Sequence, residues 1–255
     1  MGWEVLYEQL SALAPATRNF WEDAYVKFCM AFLVGDRWKL YLKGLGNTLQ
    51  LTVIALVLGV ALGVVVAVVR SAHDQQRPGR HNPLLGALNA LCKVYTTVIR
   101  GTPMLVQLLI WGFVVFKSSR NLTMVGALGL GVNSGAYVAE IVRGGLMSVD
   151  AGQSEAGRSL GLGYLDTMRL IVIPQAFKNI LPALSNEFIT LFKDTSLVGA
   201  IGGLELVYYA QAIGGKTFEP MFPYLGIAVI YLVFVTVLTW LQEKLERRLR
   251  QSDRR

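Results

Sequence analysis

Residues 49–69 form a predominantly apolar run that contains no charged side chain. With a rise of 1.5 Å per residue, a helix of this length is long enough to cross the hydrocarbon part of a bilayer. Backbone polar groups in hydrocarbon must be hydrogen-bonded internally, so an apolar run of this kind predicts a transmembrane helix.

The rest of the chain has the same character, because 53% of its residues are hydrophobic and only 16% are charged. A soluble domain carries about a quarter charged residues, so the composition disfavours a conventional soluble enzyme. We predict an all-α integral membrane protein with about five transmembrane helices. The four further predicted spans are residues 83–116, 125–146, 170–192 and 224–241. The first of these four is interrupted by Lys93 and by the RGTP string at residues 100–103. The domains predicted around them are an extracytoplasmic or interfacial segment (1–44), the transmembrane domain (45–245) and a basic cytoplasmic tail (246–255).

Basic residues in short loops indicate the cytoplasmic side of a membrane protein. They cluster after the first span, after the third span and in the tail. These clusters are Arg70, Arg77 and Arg80; Arg143, Arg158 and Arg169; and Lys244, Arg247, Arg248, Arg250, Arg254 and Arg255. Five crossings then place the amino terminus outside, where Trp3, Trp21, Trp38 and Tyr41 suit an interfacial helix. An inside amino terminus, which Arg37, Lys39 and Lys43 favour, stays open. The net charge of +7 fits anionic lipid headgroups, and no nucleic-acid partner is predicted.

Small residues recur every fourth position on two of the predicted spans. The first stripe is Ala55, Gly59, Gly63 and Ala67, and the second is Ala127, Gly131, Gly135 and Ala139. Small side chains let transmembrane helices approach closely, so both stripes predict packing surfaces rather than ligand sites.

Several patterns that suggest other chemistry fail on inspection. Residues 210–217 resemble a P-loop, but Ala210 replaces the first glycine and no strand precedes the segment. His73 and His81 lack further ligands at metal spacing, so no metal site is predicted. Cys29 and Cys92 are far apart in sequence, and we interpret both as packing residues. No catalytic nucleophile and base pair is recognisable.

Residues 150–178 form a polar, glycine-punctuated stretch between two apolar spans. Ser154 could cap a short helix with Glu155 in its first turn, Leu160 and Leu162 could supply apolar contacts, and Gly161 or Gly163 could end it. The stretch therefore predicts a small helix exposed on the cytoplasmic face, with an ordinary interfacial loop as the alternative.

The same stretch resembles the EAA loop of ABC importer permeases. Glu155, Ala156 and Gly157 are followed by Gly161 after three residues and by the IVIP string of residues 171–174 after nine more. Only two positions depart from the family pattern, Gly157 for alanine and Ile173 for leucine. Further strings resemble the polar amino acid branch (histidine, glutamine and arginine permeases), and the resemblance covers about residues 44–245. These strings are GNTL at 46–49, RGTPMLVQ at 100–107, AYVAEIVRGG at 136–145 and KDTSL at 193–197.

The resemblance implies the type I ABC importer permease fold in a bacterial inner membrane, without catalytic activity or cofactor in this chain. The coupling helix would dock in a separate ABC ATPase, which holds ATP and Mg, through Glu155, Ala156, Gly157, Ser159, Leu160 and Gly161. The other implied partners are an extracytoplasmic substrate-binding protein, a second permease chain in a homodimer or heterodimer, and an amino acid substrate. Transport would proceed by alternating access.

An ionisable group within a span is costly and tends to face the bundle interior, so Glu187 is the first candidate for substrate binding. The further candidates are Arg100, Asn186, Gln107 and Thr190, with Lys193 and Asp194 as gate or cap residues. Each could instead form an internal salt bridge or a polar contact between helices. Pro174 and Pro182 predict a kinked fourth span.

Three alternatives to an amino acid importer remain. A permease for another solute, such as methionine, an opine or a phosphonate, is the nearest. An autonomous channel is the second. An integral membrane enzyme is the third, and it is disfavoured because no reactive residues converge.

Overall fold

The computed structural model describes residues 2–76 and 82–252, and the regular structure in these ranges is helical. This agrees with the predicted all-α class. The helices are α1 (Trp3–Ala12), α2 (Phe20–Phe32), α3 (Trp38–Asp74), α4 (Pro83–Gly101), α5 (Met104–Ile110), α6 (Leu122–Met147), α7 (Ala151–Ser159), α8 (Tyr164–Thr167), α9 (Ile173–Asp194), α10 (Leu206–Thr217) and α11 (Met221–Ser252).

Three stretches of helix in the described ranges are long and apolar enough to cross a membrane, namely Val34–Asp74, Leu122–Met147 and Met221–Leu249. Two bent helix pairs bring the total to five if each pair is one span. The first pair is α4 with α5, bent by 108°, and the second joins Tyr164–Ile201 to α10 with a bend of 46°. The predicted number of spans thus fits the structure when the bent pairs are counted.

The first span starts earlier than the sequence predicts. Its helix, α3, begins at Trp38, so Trp38 and Tyr41 belong to the span and not to a separate interfacial helix. Tyr41 is buried, and it packs with Leu206 and Ile213 of α10. The interfacial assignment of Tyr41 is therefore wrong, because protein rather than lipid headgroups covers its ring.

The break in the second span lies where the sequence places it, at Thr102 and Pro103. Proline disfavours helical backbone in the preceding residue, and Thr102 is accordingly extended, with ψ 142°. The side-chain nitrogen Nε2 of Gln107 stabilises this break by donating hydrogen bonds to the carbonyl oxygens of Ile99 (2.7 Å) and Thr102 (3.1 Å). This corner joins α4 and α5.

The two stripes of small residues face each other across the α3–α6 interface. A Cβ atom added to Gly59 would lie 2.8 Å from the Cβ of Ser134, and one added to Gly63 would lie 2.6 Å from the Cβ of Val138. Gly131 approaches Leu58 of α3 equally closely. The prediction that both stripes are packing surfaces is confirmed.

The fourth span contains a widened π-helical turn at Met168–Val172, directly before Pro174. Proline lacks an N–H group and its ring crowds the carbonyl four residues earlier, so a widened turn accommodates it. Pro182 lies inside α9, and the helix continues past it to Asp194. The irregularity of this span therefore lies ahead of Pro174.

Candidate functional site

The predicted short helix exists as α7, but its amino-terminal cap differs from the prediction. The side chain of Asp150 accepts a hydrogen bond from the backbone N–H of Gly152 at 2.7 Å. Ser154, the predicted cap, lies inside the helix. The prediction overlooked Asp150 because aspartate is as good a cap as serine and comes one turn earlier.

The carboxyl end of α7 agrees with the sequence. Gly161 has φ +83°, a left-handed conformation that an L side chain rarely adopts. The N–H of Leu162 donates to the carbonyl of Gly157 at 3.1 Å, as in a Schellman ending. Gly161 thus ends the helix as predicted and turns the chain towards α8.

Five of the six predicted coupling residues are exposed on this helix, and these are Glu155, Ala156, Ser159, Leu160 and Gly161. Leu160 is 81% exposed, so its side chain is accessible to a partner and is not covered by the rest of the described chain. Single exposed leucines are common on protein surfaces, so a docking role for Leu160 needs further observations.

The sixth residue, Gly157, is buried and joins α7 to the helix that follows. A Cβ atom at Gly157 would lie 2.9 Å from Thr167 Cγ2 and 3.0 Å from Ile171 Cδ1. The departure from alanine in the EAA pattern therefore has a local reason, since Thr167 and Ile171 occupy the space of the missing methyl group. Two polar contacts add to this attachment: Gln175 Nε2 donates to Gln153 Oε1 (3.2 Å), and Asn179 Nδ2 donates to Ser148 Oγ (2.8 Å).

Glu187 lies in the bundle interior, as predicted, with 8% of its surface exposed. Its Oε1 atom accepts a hydrogen bond of 2.7 Å from Ser134 Oγ on α6. This is the polar helix–helix contact that the sequence left open as the alternative role.

Two other substrate candidates also contact α6, within one turn of Ser134. Gln107 Oε1 accepts from Asn133 Nδ2 at 3.1 Å, and the guanidinium of Arg100 lies 5.3 Å from the ring centre of Tyr137. The middle of α6 thus receives one polar side chain each from α9, α5 and α4. Sequence reasoning missed Asn133, Ser134 and Tyr137, although a pair of polar residues within an apolar span was a usable signal.

The remaining candidates lie elsewhere on α9 and do not join this group. Asn186 is exposed, and Thr190 uses its hydroxyl to donate to the Asn186 carbonyl at 3.1 Å. Of the two predicted gate residues, Lys193 is exposed and Asp194 is partly buried at the end of the helix. The seven candidates therefore do not line one cavity in this conformation of the single chain.

Charged side chains tie α3 to α6 at the end of the bundle that carries α7. Glu140 pairs with Arg70 of α3 through one carboxylate oxygen and accepts from Arg143 Nη2 at 3.2 Å through the other. Of the predicted basic clusters, Arg77, Arg80, Arg254 and Arg255 lie outside the described residues, as does His81, and the side chain of Arg250 is not described.

The structure also places the other patterns considered in the sequence. The P-loop-like segment, residues 210–217, lies within α10, so its backbone N–H groups are used within a helix instead of facing a phosphate. Cys29 and Cys92 are free thiols. Within residues 2–76 and 82–252, no three His, Cys, Asp or Glu side chains are grouped closely enough to hold a metal ion.

The helical bundle with up to five spans in the described residues, and the exposed helix α7, agree with the permease class of ABC importers that the sequence resembles. A profile of the binding-protein-dependent transport system inner membrane component family matches residues 83–251. The chain belongs to this family.

Relatives and solved structures agree with this assignment. The arginine transport system permease protein ArtQ of Bacillus subtilis is 36% identical over 217 residues, covering 83% of this chain and 93% of ArtQ. The L-cystine transport system permease protein TcyB of the same organism is 35% identical, covering 83% and 87%. The crystal structure of an amino acid ABC transporter with histidines superposes with a TM-score of 0.73 at 40% identity, covering 82% and 94%. The MetNI methionine ABC transporter, at 20% identity and a TM-score of 0.68, shares the fold.

Proposed function

We propose that this permease forms the translocation pathway of a polar amino acid importer and works by alternating access. Relatives named as arginine and cystine permeases support an amino acid substrate, as do the RGTP and KDTSL strings at residues 100–103 and 193–197. A separate ABC ATPase, which binds ATP and Mg, supplies the energy. A substrate-binding protein delivers the solute, and a second permease chain completes the pathway.

The orientation follows from the same proposal. The ATPase acts in the cytoplasm, so α7 faces the cytoplasm and the amino-terminal helices α1 and α2 lie on the outer side of the bacterial inner membrane. The positive cluster of Arg143, Arg158 and Arg169 supports this orientation, since short basic loops stay inside. The segment 246–255 is then a cytoplasmic tail.

The observation that carries the coupling role is the contrast within α7 between its exposed and its buried residues. Glu155 and Leu160 are free to contact a partner, whereas Gly157 fits against Thr167 and Ile171. The chain runs from these two residues through the π turn directly into α9, which carries Glu187. A force applied at α7 by the ATPase would therefore be passed to α9 and to the polar groups around α6.

The coupling role is tested by replacing Glu155 with alanine in a purified complex of permease, ATPase and binding protein in proteoliposomes. Loss of the carboxylate should lower solute uptake per ATP hydrolysed by at least about tenfold, the effect of about 1.4 kcal/mol, while the complex remains inserted. Glu8→Ala is the matched control, because Glu8 is an exposed glutamate on α1. Equal uptake by the Glu155 variant and wild type would refute the coupling role. Uptake without any ATPase would instead indicate a channel.

The substrate role of Glu187 is a second part of the proposal. A buried carboxylate can attract the amino group or a cationic side chain of a solute, and Arg100, Asn186, Gln107 and Thr190 can add polar contacts after a conformational change. Lys193 and Asp194 then act as a gate or cap. Glu187→Gln keeps a hydrogen-bonding side chain for Ser134 but removes the charge.

This variant should reduce uptake of a cationic amino acid about tenfold or more, relative to that of a neutral analogue of similar size. The measurement is competition uptake in the same proteoliposomes. Ser134→Ala is the control, since it removes the hydrogen bond to Glu187 without removing the carboxylate. An equal reduction for both solutes in the Glu187 variant would leave this residue with a structural role only.

A further inference from the structure

The helical hairpin of α1 and α2 precedes the part of the chain that matches the family profile, which is residues 83–251. Its turn is held by Arg18, whose Nη2 atom donates to the carbonyl oxygens of Ser11 (3.0 Å) and Leu13 (2.8 Å). A capping box of Asn19 and Glu22 then starts α2. The hairpin is thus an ordered element whose purpose the transport role does not explain.

Two contacts fix the level of α2 relative to the spans. Lys27 Nζ lies 3.2 Å from Glu219 Oε2, and the ring centres of Phe28 and Phe222 are 6.5 Å apart. Glu219 lies just before α11, and Phe222 lies in the first turn of that span. Lys27 and Phe28 of α2 therefore lie beside the first turn of α11, at the end of this candidate span.

The outward surface of α2 is aromatic. Phe20 is 76% exposed and Trp21 is 78% exposed, and their rings contact each other edge to face at 5.2 Å. Among the charged groups of α2, Lys27 also pairs with Asp23 at 2.9 Å, and the carboxylate of Glu22 accepts a hydrogen bond from the backbone N–H of Asn19 at 2.9 Å. The carboxylates of Asp23 and then Glu219 raise the pKa of Lys27. The three charged side chains of α2 therefore each have a partner within the chain.

A third aromatic ring projects from the corner between α10 and α11. Phe218 is 92% exposed and has φ +54°, which is uncommon and strained for a bulky residue. The exposed side of α11 begins next to Phe218. It carries the apolar side chains of Met221, Leu225 and Val229, which follow one another at helical spacing. The strained backbone therefore holds the ring of Phe218 at the end of the exposed apolar side of α11, which lipid would cover along the span.

We propose that Phe20, Trp21 and Phe218 form an aromatic rim that lies in the headgroup and upper acyl region of the bilayer and anchors the outer end of the bundle to lipid. Tryptophan and other aromatic rings are favoured at this depth, where an apolar ring and polar surroundings meet. Continuity with the exposed side of α11 and the internal pairing of the charges both favour lipid over a protein partner, which would use free charges for recognition.

The test uses tryptophan fluorescence of the full chain in phosphatidylcholine vesicles. The protein has five tryptophans, and a variant that keeps Trp21 alone has phenylalanine at positions 3, 38, 111 and 240. Phosphatidylcholine brominated near the headgroup or deep in the acyl chain reports depth, and acrylamide reports exposure to water. A matched variant keeps only Trp240, which is 57% exposed on the span α11 and verifies that the brominated lipid reaches the folded protein.

If the aromatic rim lies in the headgroup region, lipid brominated near the headgroup should quench the fluorescence of Trp21 by roughly half. Lipid brominated deep in the acyl chain should quench it less, and acrylamide should quench it weakly. Strong quenching by acrylamide with no effect of either brominated lipid would overturn the proposal, and so would the absence of quenching by all three. The aqueous result would point instead to a surface for an extracytoplasmic protein. Neither result depends on ATP or on transport, so the test is independent of the proposed function.

Discussion

The α3–α6 interface and the attachment of α7 both depend on glycine, but they differ in what a glycine contacts. In the interface, a Cβ atom added to Gly63 would lie 2.6 Å from the Cβ of Val138 and 2.9 Å from the backbone nitrogen of Ala139. At α7, the three atoms nearest to a Cβ atom added to Gly157 all belong to the side chains of Thr167 and Ile171. The first contact cannot yield without moving a helix, whereas the second can yield through side-chain movement.

The difference suggests a division between a fixed core and a movable attachment. Backbone-level packing resists sliding, so α3 and α6 should move as one body during transport. Side-chain packing of a short helix tolerates small rotations, which a helix driven by a partner protein requires. Substitution of an interface glycine should therefore mainly lower stability, whereas substitution of Gly157 should mainly affect coupling to the ATPase.

The largest loss of stability is expected from Gly63→Ala. The added Cβ would lie 2.6 Å from two atoms of Val138, and we expect the interface to lose about 1–3 kcal/mol. Gly46→Ala is the matched control on the same helix, because nothing lies within 4 Å of its Cβ position. Thermal unfolding in detergent should show a lower Tm for Gly63→Ala and an unchanged or higher one for the control. Equal Tm values would mean that the interface is not rigid.

A smaller effect is expected from Gly157→Ala, which restores the residue of the EAA pattern. Alanine favours a helix by up to about 1 kcal/mol over glycine, and this gain offsets part of the crowding against Thr167. The net change in Tm should therefore be small, while uptake per ATP hydrolysed should fall because α7 is displaced. Adding Thr167→Ala removes both atoms of Thr167 that the new Cβ would touch, Cγ2 at 2.9 Å and Oγ1 at 3.0 Å. Uptake that stays low in the double variant would contradict this explanation.

The smallest effect on stability is expected from Leu160→Ser. The side chain is 81% exposed, so the free energy of unfolding should change by no more than about 0.5 kcal/mol. Binding of the ATPase should nevertheless weaken by at least about tenfold, measured by co-purification across a concentration series. Leu13→Ser serves as the control, since this exposed leucine directly follows α1 in the amino-terminal hairpin. Normal ATPase binding by the Leu160 variant would place the docking surface elsewhere.

Local sequence patterns predicted much of the fold. The packing role of the stripe from Ala55 to Ala67, and of its counterpart on α6, could be predicted from sequence. In lipid, helices associate mainly by close packing, and small residues at a fixed spacing allow it. The break at Thr102 and Pro103 could be read because proline restricts its own backbone and that of the preceding residue. The end of α7 could be narrowed to Gly161 or Gly163 for a similar local reason, because glycine readily adopts the left-handed conformation that ends a helix.

Two contacts could not be predicted from sequence because they depend on which helices pack against each other. Tyr41 was assigned to lipid because its neighbours in sequence are polar, but α10 packs over it. Ser134 became visible as the partner of Glu187 only when α6 and α9 were placed together, since the two residues are 53 positions apart. The cap of α7 was missed for another reason, because Asp150 and Ser154 are both good caps and sequence alone did not decide between them.

Asn133 and Ser134 are consecutive residues of α6, and successive residues of a helix point about 100° apart. Asn133 bonds to Gln107 on the helix after the RGTP corner, and Ser134 bonds to Glu187 on α9. A modest rotation of α6 about its own axis would therefore strain both bonds at once and in different directions. We therefore expect the movements of α5 and α9 during transport to be linked through these two neighbouring residues of α6.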